Sequence, residues 1–151
     1  MKHKKSDQFE TKSLSSSLVK FSVDYNPALT SNELSQSAKL SLFDWFVVSI
    51  AGQGEPVSQI VRGLIETEHG AKNCSVFGSK HRYPARASAL ANGTISHALD
   101  YDDTHFAYLG HPSVAVLPAV LAIGEKTKPT PEGFVRAGLL GLETARRRGA
   151  G

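Results

Sequence analysis

Residues that could exchange protons are concentrated in one short segment of the chain. Three aspartates and three histidines fall among small and apolar neighbours, namely His97, Asp100, Asp102, Asp103, His105 and His111. Imidazole and carboxylate groups are the side chains that most often act as general acids and bases. A cluster of this density is typical of an acid–base site or of a metal site, although a solvated polar loop has the same composition.

The acid–base interpretation depends on where helices end and begin around the cluster. His97 and Asp100 are three residues apart, so they share one face of a helix as that helix ends. His111 precedes Pro112 and is therefore predicted at the N-terminus of the next helix, where free N–H groups favour a bound carboxylate and a neutral imidazole. A neutral histidine beside an anionic substrate can serve as a base or as a hydrogen-bond donor. For each residue alone, a capping histidine or a solvated aspartate is the simpler interpretation.

A metal site is the less favoured interpretation of the same residues. The spacing of Asp100, Asp102 and Asp103 resembles part of a calcium loop, but His105 and His111 stand where that loop needs glycine and a bidentate glutamate. The pair His97 and Asp100 could hold a transition metal, yet nothing in the sequence defines four ligands. We therefore assign no metal ligand from the sequence.

A long, mostly apolar helix is predicted ahead of this segment. Thr30 can cap it while Glu33 reaches back to the cap, and Leu29 can pack on Leu34. The helix should end near Gly52. Its second half is apolar almost all round, so we expect Phe43, Phe46, Val47 and Ile50 to be buried.

Four further helices are predicted from proline starts and helical apolar spacing. They run from Pro56 to Gly70, from Pro84 to about Leu99, from Pro112 to about Glu125, and onward from the cap at Thr130 and Pro131. No alternating strand pattern is present. The expected fold class is mostly α, with no sheet of more than two short strands.

Composition restricts the remaining function classes. The net charge of +3 comes from basic residues near the two ends, without the basic stripe that a nucleic-acid groove needs. No apolar run is long enough to span a membrane. The single cysteine, Cys74, together with the absence of a secretory leader pattern, favours a reducing, cytoplasmic location. Residues 1–28 are polar and serine-rich, so we expect a poorly ordered arm ahead of a domain over residues 29–151.

Residues 89–125 resemble one enzyme family over a long and specific pattern. The pattern consists of Asn-Gly, a histidine three residues before an aspartate, Asp-[Phe/Tyr]-Asp-Asp-Thr, His-Pro-Ser and a proline-bearing helix, and the matching segment reads ALANGTISHALDYDDTHFAYLGHPSVAVLPAVLAIGE. It resembles the MmgE/PrpD family, which includes 2-methylcitrate dehydratase of propionate metabolism and cis-aconitate decarboxylase. Weaker resemblance extends over about residues 29–145.

This resemblance implies a fold, a reaction class and a set of site residues. Family members are homodimers with a large helical domain and a smaller α+β domain, and they need no metal or organic cofactor. Asp100, Thr104 and His111 match the motif positions that family enzymes place at the substrate. The implied function is that of a lyase on a citrate-like polycarboxylate, with dehydration of 2-methylcitrate favoured and decarboxylation or epimerisation as alternatives.

The sequence departs from the family pattern in its second half. Family enzymes supply histidines and lysines from far downstream, whereas the last histidine here is His111 and the last lysine is Lys128. The ending from Ala145 to Gly151 also drifts from the pattern. We therefore expect an incomplete N-terminal helical domain that is inactive by itself. A non-catalytic remnant is the main alternative, and a free-standing helical binding module is a weaker one.

Overall fold

Six helices and one short hairpin form the part of the chain that the computed structural model describes, residues 13–26, 31–106 and 108–149. The elements are α1 (Leu14–Asp24), α2 (Asn32–Gly52), α3 (Pro56–Ile65), β1 (Cys74–Ser75), β2 (Arg82–Tyr83), α4 (Ala85–Ser96), α5 (Pro112–Thr127) and α6 (Pro131–Gly149). The two strands pair antiparallel. The predicted mostly α class is thus confirmed. Among the described residues, no helix combines the length and the apolar character that a membrane span requires.

Helix α4 lies at the centre of the packing, because it contacts α2, α3 and α5. Its inward face carries small side chains, including Ala87, Ser88 and Ala91, so neighbouring helices approach closely. A Cβ added at Gly93 would lie 3.1 Å from the carbonyl oxygen of Val114 on α5. The main core cluster fills the space between α3, the hairpin and α4 and consists of Val61, Ile65, Val76, Tyr83, Ala87, Ala91 and Ile95. The end of α4 is therefore firmly placed.

Asn92 connects α4 to the segment that follows β1. Its Oδ1 accepts a hydrogen bond from the backbone N–H of Phe77 at 3.0 Å, and its Nδ2 donates to the carbonyl oxygen of Ser75 at 2.9 Å. The side chain is buried, and these two bonds satisfy polar atoms that would otherwise cost free energy. The Asn-Gly step of the motif, Asn92 and Gly93, thus has a structural role.

The start of α2 differs from the prediction. Ser31 is the N-cap, and its side chain accepts a hydrogen bond from the backbone N–H of Leu34 at 3.2 Å. The predicted cap, Thr30, lies outside the described residues. Serine and threonine are both common N-cap residues, so the local pattern did not distinguish the two adjacent positions. Similarly, α3 ends at Ile65 and not at Gly70.

The prediction that the second half of α2 is buried all round is wrong. Trp45, Val48 and Ser49 face the core, but the opposite face is open to solvent. The exposed fractions are 69% for Phe43, 50% for Phe46, 46% for Val47 and 47% for Ile50. Among the described residues this face has a ring contact between Phe46 and Phe77, with centroids 5.3 Å apart, but at least 46% of each of its four residues stays exposed. We call these four residues the open face of α2.

Helix α1 (Leu14–Asp24) lies within the segment that was predicted as a poorly ordered arm over residues 1–28. Ser13 caps α1 by accepting a hydrogen bond from the N–H of Ser16. The helix packs on α6, where the guanidinium of Arg147 lies 4.1 Å from the ring centroid of Phe21 and Ser22 contacts Thr144. The short apolar patch of this segment therefore has a partner that its own sequence does not reveal. Residues 1–12, 27 and 28 lie outside the described ranges.

Candidate active site

The C-terminal end of α4 begins the candidate site. His97 is the C-cap, and its N–H donates to the carbonyl oxygen of Gly93 at 3.2 Å. The chain then reverses, with the N–H of Asp100 donating to the carbonyl oxygen of His97. Asp100 adopts a left-handed conformation with φ of 56°. Aspartate tolerates this region better than most residues, although it remains a strained conformation of the kind found at functional sites. The reversal returns the following residues towards His97.

Asp102 is the buried centre of the cluster. Its side chain has no solvent exposure, and its two oxygens face two different histidines. Oδ1 lies 2.8 Å from Nδ1 of His97, and Oδ2 lies 2.9 Å from Nδ1 of His111. The first contact is a hydrogen bond, whereas the second is close but not aligned as one. Both contacts are most favourable for the tautomers that carry the ring proton on Nδ1.

His111 lies between two carboxylates. Besides its contact with Asp102, its Nε2 lies 3.4 Å from Oδ1 of Asp100. The Asp100 side chain is 75% exposed and that of His111 is 25% exposed, so this edge of the imidazole faces a surface that a small molecule can reach. The rings of His97 and His111 pack edge to face with centroids 4.7 Å apart. The predicted pair Asp100 and His111 is thus brought together in space.

Thr104 lies apart from this pair. It is exposed and lines a depression of about 210 Å³ together with His105, Phe106, Leu109 and Gly110. The backbones of His105 and Gly110 pair across this loop, which holds the depression open. Within the described residues no hydrogen bond or ion pair joins Thr104 to Asp100 or His111. Convergence of all three side chains on one surface therefore stays a prediction.

The N-terminus of α5 already has an anionic partner. Asp103 accepts hydrogen bonds from the N–H of Ser113 at 3.1 Å and from its hydroxyl at 2.7 Å. His111 is the N-cap, but its side chain makes no capping bond. The expectation that this helix end is free for a substrate carboxylate therefore needs correction, because a capping aspartate satisfies the first available donor.

A fourth carboxylate approaches from α2. Asp44 keeps contact with solvent, yet partial loss of its hydration raises its pKa, and the negative charges of Asp103 and Asp102 raise that pKa further. Like charges disfavour ionisation of one another. The cluster therefore lies in a locally negative field, which suits groups that accept protons or bind cations.

Four potential metal ligands meet in this cluster. One donor atom each from His97, Asp100, Asp102 and His111 lies within 4.8 Å of the other three. The sequence predicted no metal ligand: it offered only the pair His97 and Asp100 as possible ligands, and it placed Asp102 in an incomplete calcium-loop pattern. No local signal distinguishes Asp102 from its neighbour Asp103, because adjacent acids in a loop have the same pattern whichever of them is buried.

Comparison with known proteins agrees with the fold and the motif. A family model described as the MmgE/PrpD N-terminal domain matches residues 16–150. The match begins within α1, ahead of the predicted domain boundary at residue 29. A cis-aconitate decarboxylase-like protein of Aspergillus oryzae, OryM, is 29% identical over 140 residues, which cover 88% of this chain and 29% of that protein. The chain thus spans less than a third of the length of this relative.

Proposed function

Because the chain belongs to the MmgE/PrpD family, we propose that it forms the N-terminal part of a lyase that acts on a citrate-like tricarboxylic acid. The observation that carries this proposal is the position of His111 between buried Asp102 and exposed Asp100. We assign Asp100, Thr104 and His111 to contact with the substrate, and we assign Asp102 to positioning of the histidine.

The proposed proton transfer uses Nε2 of His111. Contact of Nδ1 with Asp102 favours the tautomer whose proton is on Nδ1, so the Nε2 lone pair points to the accessible side. Nε2 can then take a proton from a carbon next to a substrate carboxylate. Asp100, 3.4 Å away, can hydrogen-bond a substrate hydroxyl or shuttle the proton. The Thr104 hydroxyl, on the adjoining depression, can donate to a substrate carboxylate.

In the dehydration reaction the base removes a proton and water is lost. The C–H electron pair forms the new C=C bond while the C–O bond breaks, and the departing hydroxide takes a proton and leaves as water. The substrate that the sequence resemblance favours for this reaction is 2-methylcitrate.

A second candidate reaction is decarboxylation of cis-aconitate, which the name of the Aspergillus relative favours. Here the bond between a carbon and its carboxyl group breaks, carbon dioxide leaves, and the electron pair on carbon takes up a proton. Protonated His111 would deliver that proton, so the same residues act in the opposite direction. Epimerisation would use the same removal and return of a proton without a leaving group.

The proposal needs positive charges from elsewhere. In the described part of the chain, Asp100 and Asp102 form their ion pairs with the histidines His97 and His111. A tricarboxylate needs cations that hold its carboxylates and stabilise the charge that develops in the transition state. We propose that a longer polypeptide or a second chain supplies them. Formation of a homodimer and a cytoplasmic location are likewise predictions.

The experiment that tests this function restores a full-length enzyme. Residues 16–150 replace the matched segment of the Aspergillus relative, and the chimera is assayed for loss of water from 2-methylcitrate and for release of carbon dioxide from cis-aconitate. We expect turnover of one of the two acids. His111→Gln should lower kcat by about a hundredfold or more, the usual loss when a general base is removed.

Exposed His81 lies outside the cluster and provides the matched control, His81→Gln, which should leave turnover unchanged. Asp102→Asn should lower kcat more than it changes KM, because it affects the histidine and not the substrate contact. A folded chimera whose turnover survives both His111→Gln and Asp100→Asn would show that the assigned residues are wrong.

A further inference from the structure

The cluster at the end of α4 has the donor set of a transition-metal site, although the reaction proposed above needs no metal. We propose that His97, Asp100, Asp102 and His111 bind one divalent first-row transition ion such as Zn²⁺, and that the bound ion blocks proton transfer. The blocking effect rests on the proposed function, whereas the binding itself does not.

The distances fit an ion after small side-chain movements. Zinc bonds to imidazole nitrogen and carboxylate oxygen at about 2.0–2.2 Å, which puts neighbouring ligand atoms of a tetrahedral site roughly 3.4 Å apart. In the cluster the nitrogen–oxygen distances are 2.8 Å and 2.9 Å to Asp102, and 3.4 Å and 3.9 Å to Asp100. The 2.9 Å and 3.4 Å distances involve different nitrogens of His111, and one ion can take only one of them. With one donor atom from each residue, the four atoms lie within 4.8 Å of one another, so side-chain rotations that shorten the longest separation by roughly 1.4 Å would complete the site.

Asp102 offers a ligand atom that the protein leaves without a good partner. Its side chain is fully buried, and its Oδ2 makes no aligned hydrogen bond with any described residue. Burial of an unsatisfied carboxylate oxygen costs free energy, which coordination of a cation would recover. Binding of the ion would displace any proton held on the imidazole nitrogens that coordinate it.

Charge and access favour a cation at the same point. Asp100 and Asp102 carry two negative charges when the histidines are neutral, and Asp103 and Asp44 add to the negative field. The side chains of His97 and Asp100 are 46% and 75% exposed, which opens a path for the ion. Two imidazole ligands select zinc, cobalt or nickel over magnesium or calcium, which prefer oxygen ligands alone.

A bound ion would occupy the groups that the reaction uses. Coordination takes the lone pair of His111 and an oxygen of Asp100, so neither can exchange a proton with a substrate. The ion would therefore act as a reversible inhibitor and not as a cofactor.

Cobalt absorption tests the binding without any need for turnover. The tag-free chain is titrated with Co²⁺, and the visible d–d absorption reports coordination number and stoichiometry. We expect one Co²⁺ per chain with the strong absorption of a tetrahedral site, displaced by Zn²⁺. His97→Ala and Asp100→Asn should each weaken binding by about tenfold or more. Both positions are solvent-exposed, and far-UV circular dichroism checks that the helices remain.

The control removes three of the four histidines outside the proposed metal site and keeps His105. His69 and His81 are exposed, and His3 lies close enough to the amino terminus to bind metal with it, so all three are changed to alanine together. This variant should bind Co²⁺ like the parent chain. The site does not exist if no absorption develops, if His97→Ala and Asp100→Asn leave it unchanged, or if the triple variant abolishes it. A chain that binds Co²⁺ while the chimera lacks turnover would refute the enzymatic proposal alone.

Discussion

A methyl group added at Gly52 should destabilise the domain and disturb the candidate site. Gly52 ends α2 where it meets α4, and a Cβ there would lie 2.4 Å from the carbonyl oxygen of Ile95 and 3.3 Å from Cβ of Ala98. The first contact is with backbone, which cannot rotate away as a side chain can. To reach even 3.0 Å, the tight limit of real contacts, the two helices must separate by roughly 0.6 Å.

The expected cost of Gly52→Ala follows from this overlap. Overpacking of a close helix contact costs about 1–3 kcal/mol. The helix propensity of alanine offsets at most about 1 kcal/mol of that cost, because Gly52 lies at the helix end. With a shift of roughly 2–4 °C per kcal/mol for a domain of this size, thermal unfolding followed by circular dichroism should show a Tm several degrees lower.

The same substitution should also change the geometry of the candidate active site, since Ile95 lies two residues before His97. Separation of α2 from α4 would move the C-cap histidine away from Asp102, and the imidazole nitrogen resonances of His97 should report a weaker hydrogen bond. Gly63→Ala is the matched control, because nothing lies within 4 Å of a Cβ at this position inside α3. It should stabilise the chain by up to about 1 kcal/mol. If Gly52→Ala proved as stable as Gly63→Ala, the described packing of α2 on α4 would be wrong.

Three further outcomes can be measured on the chain itself. The chain should bind a hydrophobic dye, because an exposed apolar patch marks an uncovered contact, and it should show no turnover of citrate-like acids. Phe43→Ser should reduce the dye signal without loss of helix. Partial loss of hydration and the charge of Asp103 raise the pKa of Asp44, so the folded state binds its proton more tightly than the unfolded state does. Stability therefore falls as pH rises from the usual 3.8 through the raised pKa, and Asp44→Asn should be more stable than the parent near pH 7. A gain that persists below pH 3.8 would contradict this reasoning. Burial, followed by the carboxylate of Glu125, raises the pKa of Cys74, so a thiol reagent should modify this cysteine only after unfolding. Rapid reaction in the native state would show that Cys74 is not buried as described.

Local patterns in the sequence determined the helices and the chemical segment. Proline starts and helical apolar spacing located α3, α5 and α6 within a few residues, because these signals act over one or two turns. The His-x-x-Asp and His-Pro spacings likewise indicated that His97, Asp100 and His111 lie at helix ends. Once α4 packs on α5, those helix ends are neighbours, so Asp100 and His111 meet although ten residues separate them.

Tertiary structure alone decided which acid is buried and which apolar face is covered. Asp102 and Asp103 are adjacent and identical, yet Asp102 contacts two histidines whereas Asp103 caps α5. The sequence pattern predicted that the open face of α2 would be buried. Hydrophobicity indicates that a residue tends to be covered, but it does not indicate which surface covers it. For the same reason α1 seemed to be a free arm, because the face of α6 that receives Phe21 lies more than a hundred residues away. Contacts between distant segments have no local sequence signal, and these contacts decide both the geometry of the site and the faces left open for a partner.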